Sequence, residues 1–165
     1  MPKRKPLLCL AVSSIVILSI AGIIFAFAGG PPTGATGSVI FNQPSCNQAN
    51  CHAGSAVNSA NGSLTLAGVP ANYILGQAYD LTITINQPNQ RRWGFQMSAR
   101  ARTSTASVGS FQSVDGFTQL QNLGTPSIQY IAHSAAGTRA GTAGPVSFQV
   151  RWTAPASNVG EVVFS

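Results

Sequence analysis

The chain has 165 residues and a formal net charge of +6, from nine Lys and Arg against three Asp and Glu, so it has room for one small domain once an N-terminal apolar segment is set aside. Lys3, Arg4 and Lys5 belong to that segment, which leaves six arginines facing Asp80, Asp115 and Glu161, with no basic run interleaved with aromatics; a nucleic-acid interface is excluded. Three scattered carboxylates and no serine in a G-x-S-x-G elbow leave no catalytic group to assign, so no enzyme is expected.

Residues 1–28 combine a basic start (Lys3, Arg4, Lys5), an apolar stretch from Leu7 to Phe27, and Ala26-Phe27-Ala28 as an A-x-A site ahead of Gly29-Gly30-Pro31-Pro32. They read as a signal peptide. The stretch 7–27 is also long enough to span a bilayer, so an uncleaved signal-anchor helix competes with cleavage after Ala28. Charges ahead of the span place everything after it outside, at the cell surface or in the periplasm. Cys9 reads as a membrane-segment residue. Residues 29–45 form a flexible Gly/Pro-rich leader with no assignable core residue, apart from a brief apolar patch at Val39, Ile40 and Phe41.

Cys46-Asn47-Gln48-Ala49-Asn50-Cys51-His52 concentrates the reactive side chains. A cysteine followed at once by histidine, with a second cysteine shortly before, can present two thiols to haem vinyl groups and an imidazole to the iron. The spacing here is C-x-x-x-x-C-H rather than C-x-x-C-H, so Cys46 must reach through a longer loop. A local Cys46–Cys51 disulfide is the second reading, and export permits either chemistry. Zinc is a third, on a thin ligand set.

From Ser63 onward the pattern has a period of two. Leu64 and Leu66 share one face of a first strand. Tyr79, Leu81, Ile83 and Ile85 alternate with Asp80, Thr82 and Thr84, and Asn86 to Gln90 is a polar turn. Trp93, Phe95 and Met97 share a face of the next strand. Shorter strands are predicted at 110–114, 118–121 and 127–132. Val146, Phe148, Val150 and Trp152 alternate strongly, and 161–164 opens a last strand. About seven short strands without a helical period after residue 28 predict an all-β, immunoglobulin-like antiparallel sandwich over residues 46–165. Ending the chain inside a strand leaves an open edge, which suggests a truncated C-terminus.

Several stretches together carry a resemblance: Gly30-Pro31-Pro32-Thr33-Gly34, the Cys46…Cys51-His52 element, Gly62-Ser63-Leu64-Thr65-Leu66, Tyr73…Gly76-Gln77-Ala78-Tyr79, Trp93-Gly94-Phe95-Gln96, Gln129-Tyr130-Ile131-Ala132-His133 and Phe148…Trp152-Thr153-Ala154-Pro155. They resemble the bacterial choice-of-anchor V domain, a relative of the Reeler (reelin N-terminal) domain. The resemblance implies an immunoglobulin-like sandwich displayed outside the cytoplasmic membrane, and members with a tighter C-x-x-C-H make haem attachment plausible.

The most concrete functional expectation is an exported mono-haem c-type electron-transfer module served by a redox partner protein. Cys46 and Cys51 would attach haem c, His52 would be the proximal iron ligand, and His133, at a strand–loop junction, the distal one. Met97 is a second distal candidate but reads as core packing, as Trp93 and Trp152 read as core anchors. The competing expectation is a non-enzymatic surface adhesion or interaction domain with a Cys46–Cys51 disulfide, binding a protein or glycan.

Overall fold

The computed structural model describes residues 29–47, 56–58, 61–124 and 128–165. The strands among them are β1 (Ser63–Ala67), β2 (Ala78–Asn86), β3 (Gln96–Ala101), β4 (Ser110–Ser113), β5 (Thr118–Leu123), β6 (Ile128–His133), β7 (Val146–Thr153) and β8 (Val162–Phe164). They form two four-stranded sheets, ordered β1-β2-β7-β4 and β5-β6-β3-β8. Every strand pair is antiparallel. This is the sandwich expected from the alternation.

The inner faces follow from that alternation. In β2 and β7, Tyr79, Leu81 and Ile83 stand opposite Trp152, Val150 and Phe148, so both strands turn the same parity toward the other sheet. Met97, Ala99 and Ile131 meet them from the second sheet. Phe95 packs on Phe148 with ring centroids 4.8 Å apart. Burying each large apolar side chain of this kind stabilises the fold by roughly 1.5–3 kcal/mol.

Two local departures have simple causes. Trp93 and Phe95 are buried as their parity predicts, yet β3 starts only at Gln96. The Trp93 N–H donates to Thr138 O (2.8 Å) and its indole N–H to Thr142 O (2.9 Å), so Trp93 bonds to the loop before β7, and only at Phe95, whose carbonyl accepts the His133 N–H (3.2 Å), does the chain meet β6. Leu64 has inward parity but is 65% exposed, because β1 is an edge strand that the opposing sheet does not cover.

The leader is docked. Gln96 Oε1 accepts the N–H groups of Gly34 (2.9 Å) and Ala35 (2.8 Å), and its Nε2 donates to Pro32 O (3.1 Å). Gln121 Nε2 donates to Pro31 O (3.1 Å), Gln119 Nε2 to Gly29 O, and Gln43 Nε2 to the Tyr130 hydroxyl (2.6 Å). Gln96, Gln121 and Tyr130 have the parity opposite to Met97 and Ile131. Residues 29–47 are therefore a strap across the outer face of the second sheet, where the sequence suggested a flexible spacer.

Residues 7–27, read as a possible membrane anchor, lie within 1–28 and outside the described residues. Among the described residues no helix is long and apolar enough to cross a membrane.

Candidate functional site

The described residues offer a cleft of about 570 Å³ at one end of the sandwich, between the β1–β2 loop (68–77) and the β7–β8 loop (154–161). Its floor is aromatic. Trp152 lies beneath, stacked on Tyr79 (6.1 Å between centroids) and met edge-on by Tyr73 (6.2 Å) and Phe164 (5.0 Å). Such offset and edge contacts add to the area term and fix ring orientation.

The loops are tied to this floor by hydrogen bonds rather than by packing alone. The Tyr73 hydroxyl accepts the Val159 N–H (3.0 Å) and donates to Asn158 Oδ1 (3.3 Å), which in turn accepts the Gly160 N–H (2.9 Å). The Tyr79 hydroxyl accepts the Ile74 N–H (2.8 Å). Gly68 turns β1 into the loop at φ +86°, and a Cβ there would run into the Asp80 carbonyl oxygen, so only glycine fits. Above this frame Ile74 and Leu75 stand 64% and 51% exposed. They are apolar side chains held in water by a fixed loop.

The electrostatics of the rim are local. Glu161 accepts a bidentate pair from Arg102 (2.6 and 2.7 Å), which holds its carboxyl below the usual carboxylate range and raises the guanidinium. Asp80 is held low in the same way by Arg151 (2.7 and 3.1 Å). Both pairs are exposed, so each contributes little to stability. Asp115 Oδ1 accepts the Phe117 N–H (2.8 Å). Arg91 and Arg92 are exposed on their turn.

The residues singled out in the sequence do not converge. Cys51 and His52 lie outside the described residues. Cys46 Sγ lies 3.6 Å from the Ala35 carbonyl oxygen, in the strap on the outer face of the second sheet. His133 ends β6 with the parity of Ile131, toward the inner face. Its ring lies against Gly94, and its Nδ1 accepts the Phe95 N–H (3.1 Å). Burial lowers its pKa, and the nearby Phe95 carbonyl offsets part of that. Cys46 and His133 are thus on opposite sides of one sheet, and His133 cannot serve as distal ligand to a haem attached at Cys46. Met97 is buried in the core cluster, and Trp93 and Trp152 are core anchors, as their parity predicts. Among the described residues no group of three or more His, Cys, Asp or Glu is placed to hold a metal ion. Nothing in the sequence pointed to the cleft, because Val69, Ile74 and Leu75 follow no strand period and read as loop.

Comparison with known proteins gives a family. The family model of the Reeler domain matches residues 44–165. Among solved structures, the chain is similar to the reeler domain of human F-spondin (fragment 1), with 24% identity over 63% of this chain and 71% of that one and a TM-score of 0.45. It is similar also to the Reelin-N domain of F-spondin, with 25% identity over 63% and 68% of the two chains and a TM-score of 0.45. No curated protein matches the chain. Reeler domains are extracellular, non-enzymatic interaction domains, which agrees with export. The expectation of a mono-haem c-type electron-transfer module is therefore corrected: the chain matches the Reeler domain, and the strap and β6 set Cys46 and His133 on opposite sides of the second sheet, while Cys51 and His52 lie outside the described residues. The match over residues 44–165, on two facing antiparallel sheets, places this chain in the Reeler domain family.

Proposed function

We propose that the chain is a non-enzymatic extracellular interaction domain that binds a protein partner at the cleft end of the sandwich, with residues 1–28 serving as its export signal. The observation that carries this reading is the 68–77 loop, which keeps Ile74 and Leu75 in solvent beside an aromatic-floored cleft. Exposed aliphatic groups on a rigid frame suit a protein surface, where an apolar centre ringed by polar groups forms the contact. A glycan site would favour exposed aromatic faces, whereas Trp93 and Trp152 are both buried. Cys46 and Cys51 are assigned a local disulfide that closes the short loop after the strap.

The test uses the exported chain, fluorescently labelled, on paired arrays of extracellular proteins and glycans. Binding to one or more proteins, lost in Ile74→Asp/Leu75→Asp while the melting curve is unchanged, is the expected outcome. Binding confined to the glycan array, or protein binding that survives both substitutions, would count against the site. Alkylation of the unreduced protein followed by mass measurement reads the disulfide: Cys46 and Cys51 should stay unmodified until a reductant is added.

A further inference from the structure

Of the ten asparagines in the chain, only Asn61 is followed by glycine. The step stands just ahead of β1: Asn61 lies in a turn, Gly62 follows, and Ser63 opens the strand opposite Asn86. All three residues are exposed. Among the described residues, neither the Asn61 carboxamide nor the Gly62 N–H takes part in a hydrogen bond. Gly62 also lacks a Cβ, so no side chain of its own shields its backbone nitrogen from the Asn61 carboxamide. Asparagine is among the thermally labile residues, and this one is left open to its neighbour.

The Asp115-Gly116 step has a similar bonding pattern but is built differently. Asp115 is half-buried, its Oδ1 accepts the Phe117 N–H (2.8 Å), and its carbonyl accepts the Ser113 hydroxyl (2.7 Å). The Gly116 carbonyl accepts the Ser134 hydroxyl (2.7 Å), and the Ser134 N–H donates to Phe117 O (2.9 Å). A carboxyl engaged at Phe117, on a backbone tied at each end, is not free to fold onto the Gly116 nitrogen. The fold therefore separates two steps that look alike in the sequence.

We propose that Asn61 is a site of spontaneous covalent modification, converting with time to a mixture of aspartate and isoaspartate. The Gly62 nitrogen gives its proton to base and bonds to Asn61 Cγ; the Cγ–Nδ2 bond breaks, and Nδ2 takes up a proton and leaves as ammonia. Water then opens the succinimide that results. Attack at Cγ restores the ordinary backbone with an aspartate, and attack at the main-chain carbonyl carbon leaves the chain running through Cγ as isoaspartate. One water is consumed and one ammonia released, with no oxidation or reduction. The product carries a new negative charge in a chain with three side-chain carboxylates, at the head of an edge strand that has none. Gly68 and the cleft loop lie at the other end of β1, so the modification is independent of binding at the cleft.

The test incubates the full chain in mildly alkaline buffer at body temperature and follows it by cation exchange, ammonia release and peptide mapping with an isoaspartate-specific methyltransferase. One acidic species should accumulate, mapped to Asn61, with isoaspartate in excess of aspartate and a rate that rises with hydroxide. Gly62→Ala should slow it about tenfold or more, since a Cβ crowds the attacking nitrogen, while the Gln87 side-chain end that the methyl meets can move aside. Asn61→Gln, which needs a larger ring, should give no acidic species over the same time. In guanidinium chloride the Asn61 rate should stay within about threefold of the folded one, whereas Asp115 should isomerise only there, once its turn is released. An acidic species mapped to another asparagine, a folded-state Asn61 rate more than about threefold below the unfolded one, or isoaspartate forming at Asp115 as fast folded as unfolded would each overturn the proposal.

Discussion

Gly94→Ala tests whether His133 is a packed structural side chain. A Cβ at residue 94 would stand 2.5 Å from His133 Cε1 and 2.7 Å from Nδ1, about 1 Å inside ordinary contact. The ring has little room to retreat, because Nδ1 accepts the Phe95 N–H (3.1 Å) and the His133 N–H donates to Phe95 O (3.2 Å). Overpacking of this kind costs about 1–3 kcal/mol. At roughly 4 °C per kcal/mol for a domain of this size, the melting temperature should fall by about 4–12 °C. Urea unfolding followed by Trp93 and Trp152 fluorescence gives the free energy independently. His133→Ala removes the obstructing ring, so adding Gly94→Ala to it should cost less than about 0.5 kcal/mol, and the coupling in the four-variant cycle should be about 1–3 kcal/mol. A Gly94→Ala protein as stable as wild type, or one equally destabilised with and without the imidazole, would refute the reasoning by showing a ring free to move away.

Two further outcomes follow from the same geometry. Tyr130→Phe deletes the oxygen that accepts both Gln43 Nε2 (2.6 Å) and Arg100 Nη2 (2.8 Å), leaving the buried Arg100 donor unmet at about 1–3 kcal/mol while the part-buried Gln43 amide turns to water; urea unfolding should show a loss of roughly 1–3 kcal/mol, and a loss below about 0.5 kcal/mol would mean the hydroxyl does not hold those groups. The pH dependence has a defined sign, because burial holds the His133 pKa below 6.5 in the folded chain: the unfolded chain takes up the proton first as pH falls, so stability is full above about 6.5 and declines below it until the folded value is passed. Melting curves from pH 8 to 5 should show this decline in wild type and not in His133→Gln. The Asp80 and Glu161 pairs act only lower, in the carboxylate range, since their folded pKa values are depressed and their contribution is lost as they protonate.

Strands β2 and β7 were legible because each alternates over its full length and their shared inward parity forms the core. The same rule placed Trp93 and Phe95 correctly inside but extended the strand too far, since parity records which way a side chain faces and not which backbone group its N–H meets. The strap was illegible for a different reason. Its contacts run from the carbonyls and amides of Pro31, Pro32, Gly34 and Ala35 to glutamines far along the chain, and no apolar period marks them. Arg100 and Arg102 share a parity, yet the first is buried under the strap and the second pairs openly with Glu161, a difference that strand alternation does not record. The cysteine–histidine spacing drew attention to His133 as a ligand. Its position at the end of β6, on the inner parity, already argued for packing, but residue spacing in the chain says nothing of which side of a sheet two side chains occupy.

The strap has a consequence for the order in which the chain assembles. Gly34 and Ala35 meet Gln96 across 62 and 61 residues, and Pro31 meets Gln121 across 90. Neighbouring strands such as β5 and β6 pair across short connections, whereas the strap must wait until β3, β5 and β6 present their outer face together. Closing such long loops is entropically costly and comes late. The segment that precedes every strand is then among the last to reach its place, and the folding chain exposes the Arg100 face until the strap docks on it.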